Sequence, residues 1–124
     1  MLLDTDILID YLREVPAAVE FVEANIDQIF VSVISIAELY QGVRDGAEQE
    51  ALTDFVSAVT DLDLNFETAK TAGLYRRQYK PSHNSGLADC LIAATAKAHQ
   101  LPLTTLNTKH FPMLDEVEAP YRKE

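Results

Sequence analysis

Three acidic residues lie inside stretches of sequence that are otherwise apolar. Asp4 falls in LLDTDILID, Glu38 in VISIAELY and Asp89 in GLADCLIAATA. An ionised carboxylate is costly to bury unless it is hydrogen-bonded, paired or bound to a metal, and none of these stretches contains Lys or Arg. The sequence therefore predicts that the acids share a divalent cation. Oxygen ligands favour Mg²⁺ or Mn²⁺.

Each of the acids also has a purely structural interpretation. Asp4 follows an apolar run and could cap the helix after it. Glu38 lies three residues after Ser35, which is the spacing of a capping box. Asp89 would fall in the first turn of a helix, where the helix dipole stabilises a negative charge. A shared site is favoured because strand ends and helix starts meet at one edge of a parallel sheet.

The pattern of apolar residues predicts strands that alternate with helices. The predicted strands are Met1 to Asp4, IFVSVI, LDLNF and LPLTTLN. The predicted helices are 7–12, a helix that begins at Pro16, SIAELYQGV, AEQEALTDFVSAV, 66–79 and GLADCLIAATAKAHQ. Ser35 is expected to begin the third helix, Gly46 to end it, and KPSHNSG to be a loop. This order indicates an α/β fold with a short parallel sheet flanked by helices, in which Asp4 and Asn107 fall at carboxyl ends of strands.

Composition limits the class of protein. A chain of 124 residues with 48% hydrophobic residues is expected to form one domain over 1–124. Its apolar runs are too short to span a bilayer and its start lacks a basic signal region, so we expect a soluble, cytoplasmic protein without a membrane partner. The net charge of −10 disfavours loose binding of nucleic acid. A local basic cluster, RRQYK, partly offsets that charge.

Three blocks of the sequence resemble a known family. LLDTDILIDYL, SIAELYQGV and ADCLIAATAKAHQLPLTTLNTKHF look like the motif blocks of PIN-domain ribonucleases, most closely the VapC-type toxins of toxin–antitoxin pairs. The order, the spacing and the total length agree, so the resemblance covers essentially the whole chain.

The resemblance implies roles for individual residues. Asp4, Glu38 and Asp89 fall on the three acidic motif positions and would bind the metal, whereas Thr105 and Asn107 fall on the T-x-N/D motif. Many relatives carry an acid where this chain has Asn107, so the metal site would be less charged. Asp6 is a nearby carboxylate that could assist, although its simpler interpretation is a helix cap.

The activity implied is that of a Mg²⁺- or Mn²⁺-dependent endoribonuclease. Such an enzyme would cut structured or translation-related RNA, would form a homodimer, and would be inhibited by a cognate VapB-like antitoxin. Because the cation would activate water, hydrolysis requires no Ser, Cys or His nucleophile. Basic residues that could contact substrate phosphates are Arg44, Arg76, Arg77, Lys80 and Lys109.

Other functions remain open from the residues alone. LLDTDIL also resembles the D-x-D opening of aspartyl-phosphate phosphatases, with Asp4 as nucleophile and Asp6 as acid. A non-enzymatic receiver domain would need a phosphorylated Asp after a central strand, but Asp54 lies in a helical pattern and is expected to be solvated. Zinc is not expected, because His83, His99 and His110 lack the close spacing of zinc ligands.

Overall fold

The computed structural model describes residues 1–83 and 85–122. In these residues the strands are β1 (Leu2–Leu3), β2 (Phe30–Ser32), β3 (Thr60–Leu62), β4 (Leu103–Thr104) and β5 (Val117–Glu118). The α-helices are α1 (Thr5–Leu12), α2 (Pro16–Ala24), α3 (Val33–Gly42), α4 (Ala47–Ala58), α5 (Phe66–His83) and α6 (Leu87–Ala98). Short 3₁₀ turns occupy Ile26–Gln28 and Thr108–His110.

The strands form one parallel sheet in the order β3-β2-β1-β4-β5. Leu2 pairs with Phe30 on one side and with Leu103 on the other, so β1 is the central strand. All pairings are parallel, so the carboxyl ends of the strands lie at the same edge of the sheet. The prediction of an α/β fold with a short parallel sheet is confirmed.

Helices cover the sheet with two apolar clusters. One cluster joins β1 and β2 to α1, α2, α3 and α4, with Leu3, Val31 and Leu52 among its fully buried members. The other joins Leu2 and Leu103 to α6 and to Phe111. The two residues of β1 contribute to opposite faces of the sheet, because successive side chains along a strand alternate.

Several boundaries differ from those predicted. The third helix begins at Val33 with Ser32 as its N-cap and ends at Gly42, so Ser35 does not cap it and the capping-box interpretation of Glu38 is wrong. Gly46 does not end that helix but precedes α4, with a positive φ of 89° that suits glycine.

The region between α4 and α6 also differs from the prediction. The strand expected at LDLNF lies earlier, at Thr60–Leu62. Most of the expected KPSHNSG loop is helical, because α5 continues through Pro81 to His83, whereas Asn84 lies outside the described residues. Strand β5 was missed, since a two-residue strand carries almost no pattern. Among the residues with described structure, no helix has the length and apolarity needed to cross a membrane.

Leu52 provides a test of the core. Its side chain is fully buried in the middle of α4, so Leu52→Ala should lower the free energy of unfolding by about 2–5 kcal/mol, because buried methyl groups are removed and a cavity remains. Urea denaturation measures this change. The exposed Gln49 of the same helix is the control, and Gln49→Ala should stay within about 0.5 kcal/mol of wild type. Equal effects of the two changes would contradict the packing described.

Candidate active site at the carboxyl edge of the sheet

Asp4 lies directly after the central strand and is the N-cap of α1. Its Oδ1 accepts a hydrogen bond of 2.8 Å from the backbone N–H of Thr5, and its Oδ2 accepts one of 2.7 Å from the hydroxyl of Thr105. Its own backbone N–H donates to the carbonyl of Thr104. Asp4 therefore both caps α1 and lies at the end of β1, and it is only 5% exposed.

Asp6 connects α1 to the segment that follows β4. Its Oδ2 accepts hydrogen bonds from the backbone N–H of Leu106 at 2.9 Å and from the side-chain amide of Asn107 at 3.2 Å. The hydroxyl of Thr105 lies 3.4 Å from the same oxygen. Asp6 lies in the first turn of α1 rather than at its cap, so its interpretation as a helix cap is wrong. It holds the Thr105–Asn107 segment against the end of β1.

Burial controls the protonation of Asp4. Loss of hydration, together with the nearby charges of Asp6 and Asp89, raises the pKa of Asp4 to about 7, against the lowering effect of the hydrogen bonds from Thr105 and Thr5. Burial also raises the pKa of Asp6, while the Leu106 and Ile7 amides oppose that shift. The site is therefore a crowded group of carboxylates in which a proton or a cation is stabilising.

Glu38 reaches this edge through Thr5. Its Oε1 accepts a hydrogen bond of 2.8 Å from the Thr5 hydroxyl, which also lies 2.9 Å from the hydroxyl of the buried Ser35. Glu38 itself is exposed on α3. The helix α3 thus presents its acid beside the residue that follows Asp4, and Ser35 supports that contact instead of capping the helix.

Asp89 lies in the first turn of α6, as predicted. Its Oδ2 accepts a hydrogen bond of 3.2 Å from the backbone N–H of Gly86 and lies 3.4 Å from Nδ1 of His110. The hydroxyl of the fully buried Ser85 donates to the carbonyl of His110 at 2.7 Å. The loop before α6 and the turn after Asn107 are therefore fastened together beside Asp89.

The structure joins some of the predicted site residues by hydrogen bonds and brings another near them without a direct contact. Asp4, Asp6, Thr105 and Asn107 share one hydrogen-bond network, and the charge of Asp89 acts on Asp4. In the part of the chain that the structure describes, no three or more His, Cys, Asp or Glu side chains are positioned to hold a metal ion together. The assignment of metal ligands stays a prediction.

The predicted phosphate-contacting residues lie on other elements. Arg44 is exposed after α3 and pairs with Glu48, to which its Nε donates at 2.6 Å. Arg76, Arg77 and Lys80 lie on α5, and Lys109 lies in the Thr108–His110 turn. Their contact with phosphate stays a prediction.

Sequence reasoning missed Thr5. Its hydroxyl joins Glu38 to Ser35 and its backbone N–H holds Asp4. The block LLDTDIL contains Thr5 but carries no signal for that role, because a single hydroxyl in a helix forms no pattern.

A second missed contact lies on α1, one turn beyond Asp6. The hydroxyl of Tyr121 donates a 2.9 Å hydrogen bond to Oδ2 of Asp10, which is 1% exposed. Burial and the neighbouring Asp10 raise the pKa of Tyr121 well above its usual value. The segment after β5 is thereby attached to the same helix that carries Asp4 as its cap.

The fold and this arrangement belong to a known class of domain. A family model described as PIN domain matches residues 1–117. The chain therefore belongs to the PIN domain family.

Relatives within that family are similar over nearly the full chain. Ribonuclease VapC10 of Mycobacterium tuberculosis is 41% identical over 128 residues, which cover 98% of this chain and 92% of the relative. Ribonuclease VapC19 of the same organism is 38% identical over 125 residues, which cover 97% and 98%. The predicted family resemblance is confirmed.

Solved structures agree with the fold. A toxin–antitoxin complex from Klebsiella pneumoniae matches with a TM-score of 0.84 and 29% identity, covering 98% of both chains. FitAcB from Neisseria gonorrhoeae matches with a TM-score of 0.77 and 27% identity, covering 98% of this chain and 99% of the other.

The raised pKa of Asp4 makes a prediction about stability. In the folded chain this carboxyl has a pKa of about 7 against 3.8 for the ordinary side chain, so the proton is bound more tightly after folding. The stabilisation that protonation of Asp4 gives to the folded chain is complete below about pH 4 and is lost as the pH rises through 7. In metal-free buffer, the free energy of unfolding of Asp4→Asn should therefore rise by about 2–3 kcal/mol relative to that of wild type when the pH is raised from about 5 to about 8.

Urea denaturation in the presence of a chelator measures that difference at the two pH values. Asp54→Asn, at an exposed position of α4, is the matched control and should follow wild type at both. If Asp4→Asn and wild type lose stability in parallel over this range, the carboxyl of Asp4 is not desolvated as described.

Proposed function

We propose that this chain is an endoribonuclease that hydrolyses RNA phosphodiester bonds, and that it is the toxin of a type II, VapBC-like toxin–antitoxin pair. The observation that carries the proposal is the hydrogen-bond network that joins Asp4 and Asp6 to the Thr105–Asn107 segment at the carboxyl edge of the sheet, with Asp89 near enough for its charge to act on Asp4. Relatives named ribonucleases align with nearly the whole of this chain, which supports the same assignment.

Asp4, Glu38 and Asp89 are proposed to hold Mg²⁺ or Mn²⁺. The chemistry of the donor set fits such an ion, because it consists of oxygens and because burial and like charge already favour a positive partner beside Asp4. In the described part of the chain these side chains do not yet converge on one point, so binding would require them to move together. Glu38 would have to rotate away from Thr5, which its exposed position on α3 permits. When bound, the cation would activate water, polarise the phosphodiester and stabilise the leaving oxygen.

Other residues would orient the groups that react. Asp6 accepts from the side-chain amide of Asn107, which leaves the amide oxygen of Asn107 free to point toward a ligand or an attacking water. Thr105 donates to Asp4 and fixes one of its oxygens. We propose that Asp4, Glu38, Asp89 and Asn107 are catalytic, that Thr105 positions Asp4, and that Asp6 positions Asn107.

The competing functions have less support. A receiver domain would need an aspartate after a central strand, but Asp54 is exposed on α4. A phosphatase would need Asp6 free as an acid, whereas Asp6 is occupied by the amides of Leu106 and Asn107. Membership of the PIN domain family also opposes both.

An antitoxin partner is proposed for a groove that borders the site. The groove, of about 570 Å³, lies between α1, α3 and α4. Its lining combines apolar Ile9, Leu12, Leu39 and Val43 with the acids Glu38 and Glu48 and the basic residues Arg13 and Arg44, of which Arg44 is already paired with Glu48. An apolar peptide segment that carries Arg or Lys would fit this groove and bring a cation to the acids. The structures of toxin–antitoxin complexes among the neighbours support such a partner.

A homodimer and a cytoplasmic location complete the proposal. Phe66 and Leu74 lie on α5 with exposures of 77% and 44%, and Leu87 at the start of α6 is 52% exposed. Covering these apolar side chains with a second copy would be favourable. RNA as substrate implies action in the cytoplasm.

The nuclease proposal predicts loss of activity in two variants. Asp4→Asn and Asp89→Asn should each lower the Mg²⁺-dependent rate of RNA cleavage by at least about 100-fold, because metal-assisted charge stabilisation is worth several kcal/mol and about 1.4 kcal/mol is tenfold in rate. Cleavage of total RNA, mapped after brief incubation with and without chelator, measures the effect. Asp54→Asn is the matched control and should cut as wild type does.

The same reactions separate the alternatives. A chromogenic phosphomonoester and acetyl phosphate are incubated in parallel with the RNA. Turnover of the phosphomonoester with intact RNA would indicate the phosphatase, and stable phosphorylation without turnover would indicate the receiver. Cleavage that continues undiminished in both Asn variants would contradict the proposed site.

The antitoxin proposal predicts inhibition by a basic peptide. A short apolar peptide with a central Arg should bind the chain at low salt and slow RNA cleavage, because its guanidinium compensates the clustered carboxylates. The same peptide with Gln in place of Arg is the control and should bind at least about tenfold more weakly, which corresponds to the loss of one charge-assisted pair. Fluorescence titration measures both, and equal binding of the two peptides would argue against a role for the acids in partner recognition.

A further inference from the structure

A second concavity includes His110, the neighbour of Asp89, in its lining. It has a volume of about 780 Å³ and is formed by the end of α5 and the turn Thr108–His110. Its polar lining residues are Lys80, Ser82, His83, Thr108, Lys109 and His110. None of the described residues that form its lining is Asp or Glu.

This composition contrasts with the rest of the chain. The protein carries twenty Asp and Glu against ten Lys and Arg, yet this surface holds lysines, histidines and hydroxyl groups together. Lys80 and Lys109 are both exposed. A concave surface with ammonium and hydroxyl donors suits a phosphate group, which accepts several hydrogen bonds and carries negative charge.

The concavity adjoins the candidate active site at His110. His110 lies on its wall and is 3.4 Å from Oδ2 of Asp89. Thr108 follows Asn107, whose side-chain amide donates to Asp6. Ser85 fixes the carbonyl of His110, so the wall between the concavity and the carboxylates is held in place by hydrogen bonds.

The adjoining face of α5 adds an aromatic surface. Tyr79 and His83 lie one turn apart with ring centroids 6.0 Å apart in an edge-on arrangement, and the Ser82 hydroxyl lies 2.7 Å from Nδ1 of His83. Basic side chains interleaved with aromatic ones are typical of surfaces that follow a single nucleic-acid strand. The end of α5 therefore offers ring surface next to the positive charges.

We propose that this concavity binds a phosphate of the RNA strand that flanks the scissile bond. Lys80 and Lys109 would provide the charge, and Thr108 would donate a hydrogen bond. The carboxylates repel an RNA backbone, so a local basic site beside them would set which side of the cut bond is held. This inference rests on the function proposed above and adds the place where the substrate's backbone binds.

The test compares two double variants with the same net charge. Lys80→Gln with Lys109→Gln removes the proposed phosphate ligands, whereas Lys70→Gln with Lys97→Gln removes two exposed lysines outside the concavity. Both are made in the Asp4→Asn background, which should bind RNA without cutting it. Binding of a short fluorescein-labelled single-stranded RNA is measured in Mg²⁺ buffer at several KCl concentrations, and the unfolding midpoint of each variant confirms that it is folded.

The Lys80/Lys109 variant should bind about tenfold more weakly at low salt. Its plot of log affinity against log salt concentration should be shallower by about 0.7 for each phosphate that is no longer neutralised. The Lys70/Lys97 variant should keep the slope of its parent. The single variants Lys80→Gln and Lys109→Gln should each give part of the change in slope.

Equal slopes in the two double variants, or no binding of RNA by the Asp4→Asn parent, would overturn the assignment of this surface. Cleavage of RNA by the wild-type chain is measured separately. If the chain cuts RNA although the two double variants bind alike, the proposed function holds and the phosphate site is refuted. If the chain binds RNA through Lys80 and Lys109 but does not cut it, the phosphate site holds and the nuclease is refuted.

Discussion

The structure depends on keeping the carboxylate of Asp4 out of water at the edge of the sheet. The residue is 5% exposed, and its two oxygens are held by the Thr5 amide and the Thr105 hydroxyl. These donors recover part of the missing hydration, but the pKa of Asp4 remains raised. Because the same residue caps α1, the first helix, the central strand and the segment after β4 are all placed by one side chain.

The neighbouring acids make different contacts at the same edge of the sheet. Asp6 receives several donors from the segment 105–107 and so acts as a brace between α1 and that segment. Glu38 is exposed and depends on the Thr5 hydroxyl for its position, which leaves it the freest of the acids to move. Asp89 is oriented by the backbone of Gly86 and by His110. Carboxylates of one chemical type thus meet different surroundings, from the buried and doubly hydrogen-bonded Asp4 to the exposed Glu38.

The sequence predicted much of the fold because its local signals agree with one another. The apolar pattern, with Asp89 in the first turn, predicted α6, and the alternation of strands and helices predicted the parallel sheet. The sequence could not place the start of α3, because Ser32 and Ser35 are both good N-cap residues. The choice depends on where β2 stops pairing with its neighbours, which is at Ser32. The continuation of α5 through Pro81 contradicts the usual effect of proline.

The candidate site was predictable as a set of residues but not as a set of contacts. The grouping of Asp4 with Thr105 and Asn107 came from a resemblance of motifs, and the structure adds the hydrogen bonds that join them. The roles of Thr5 and Ser35 depend on the way α1 and α3 pack, which local patterns do not encode. The Tyr121–Asp10 contact joins residues 111 positions apart, and a single sequence carries no information about such a pair.

The distance along the chain between Asp4 and its hydroxyl donor has a consequence for biosynthesis. Their separation is 101 residues, and the central strand β1 pairs with β4, which is made only after β2, β3 and the six α-helices. A growing polypeptide on the ribosome therefore has the acids but neither the strand nor the threonine that completes their enclosure. Contacts of such long range also slow folding, so the newly made protein passes through a period in which the acids are present and the edge of the sheet that holds them is still unassembled.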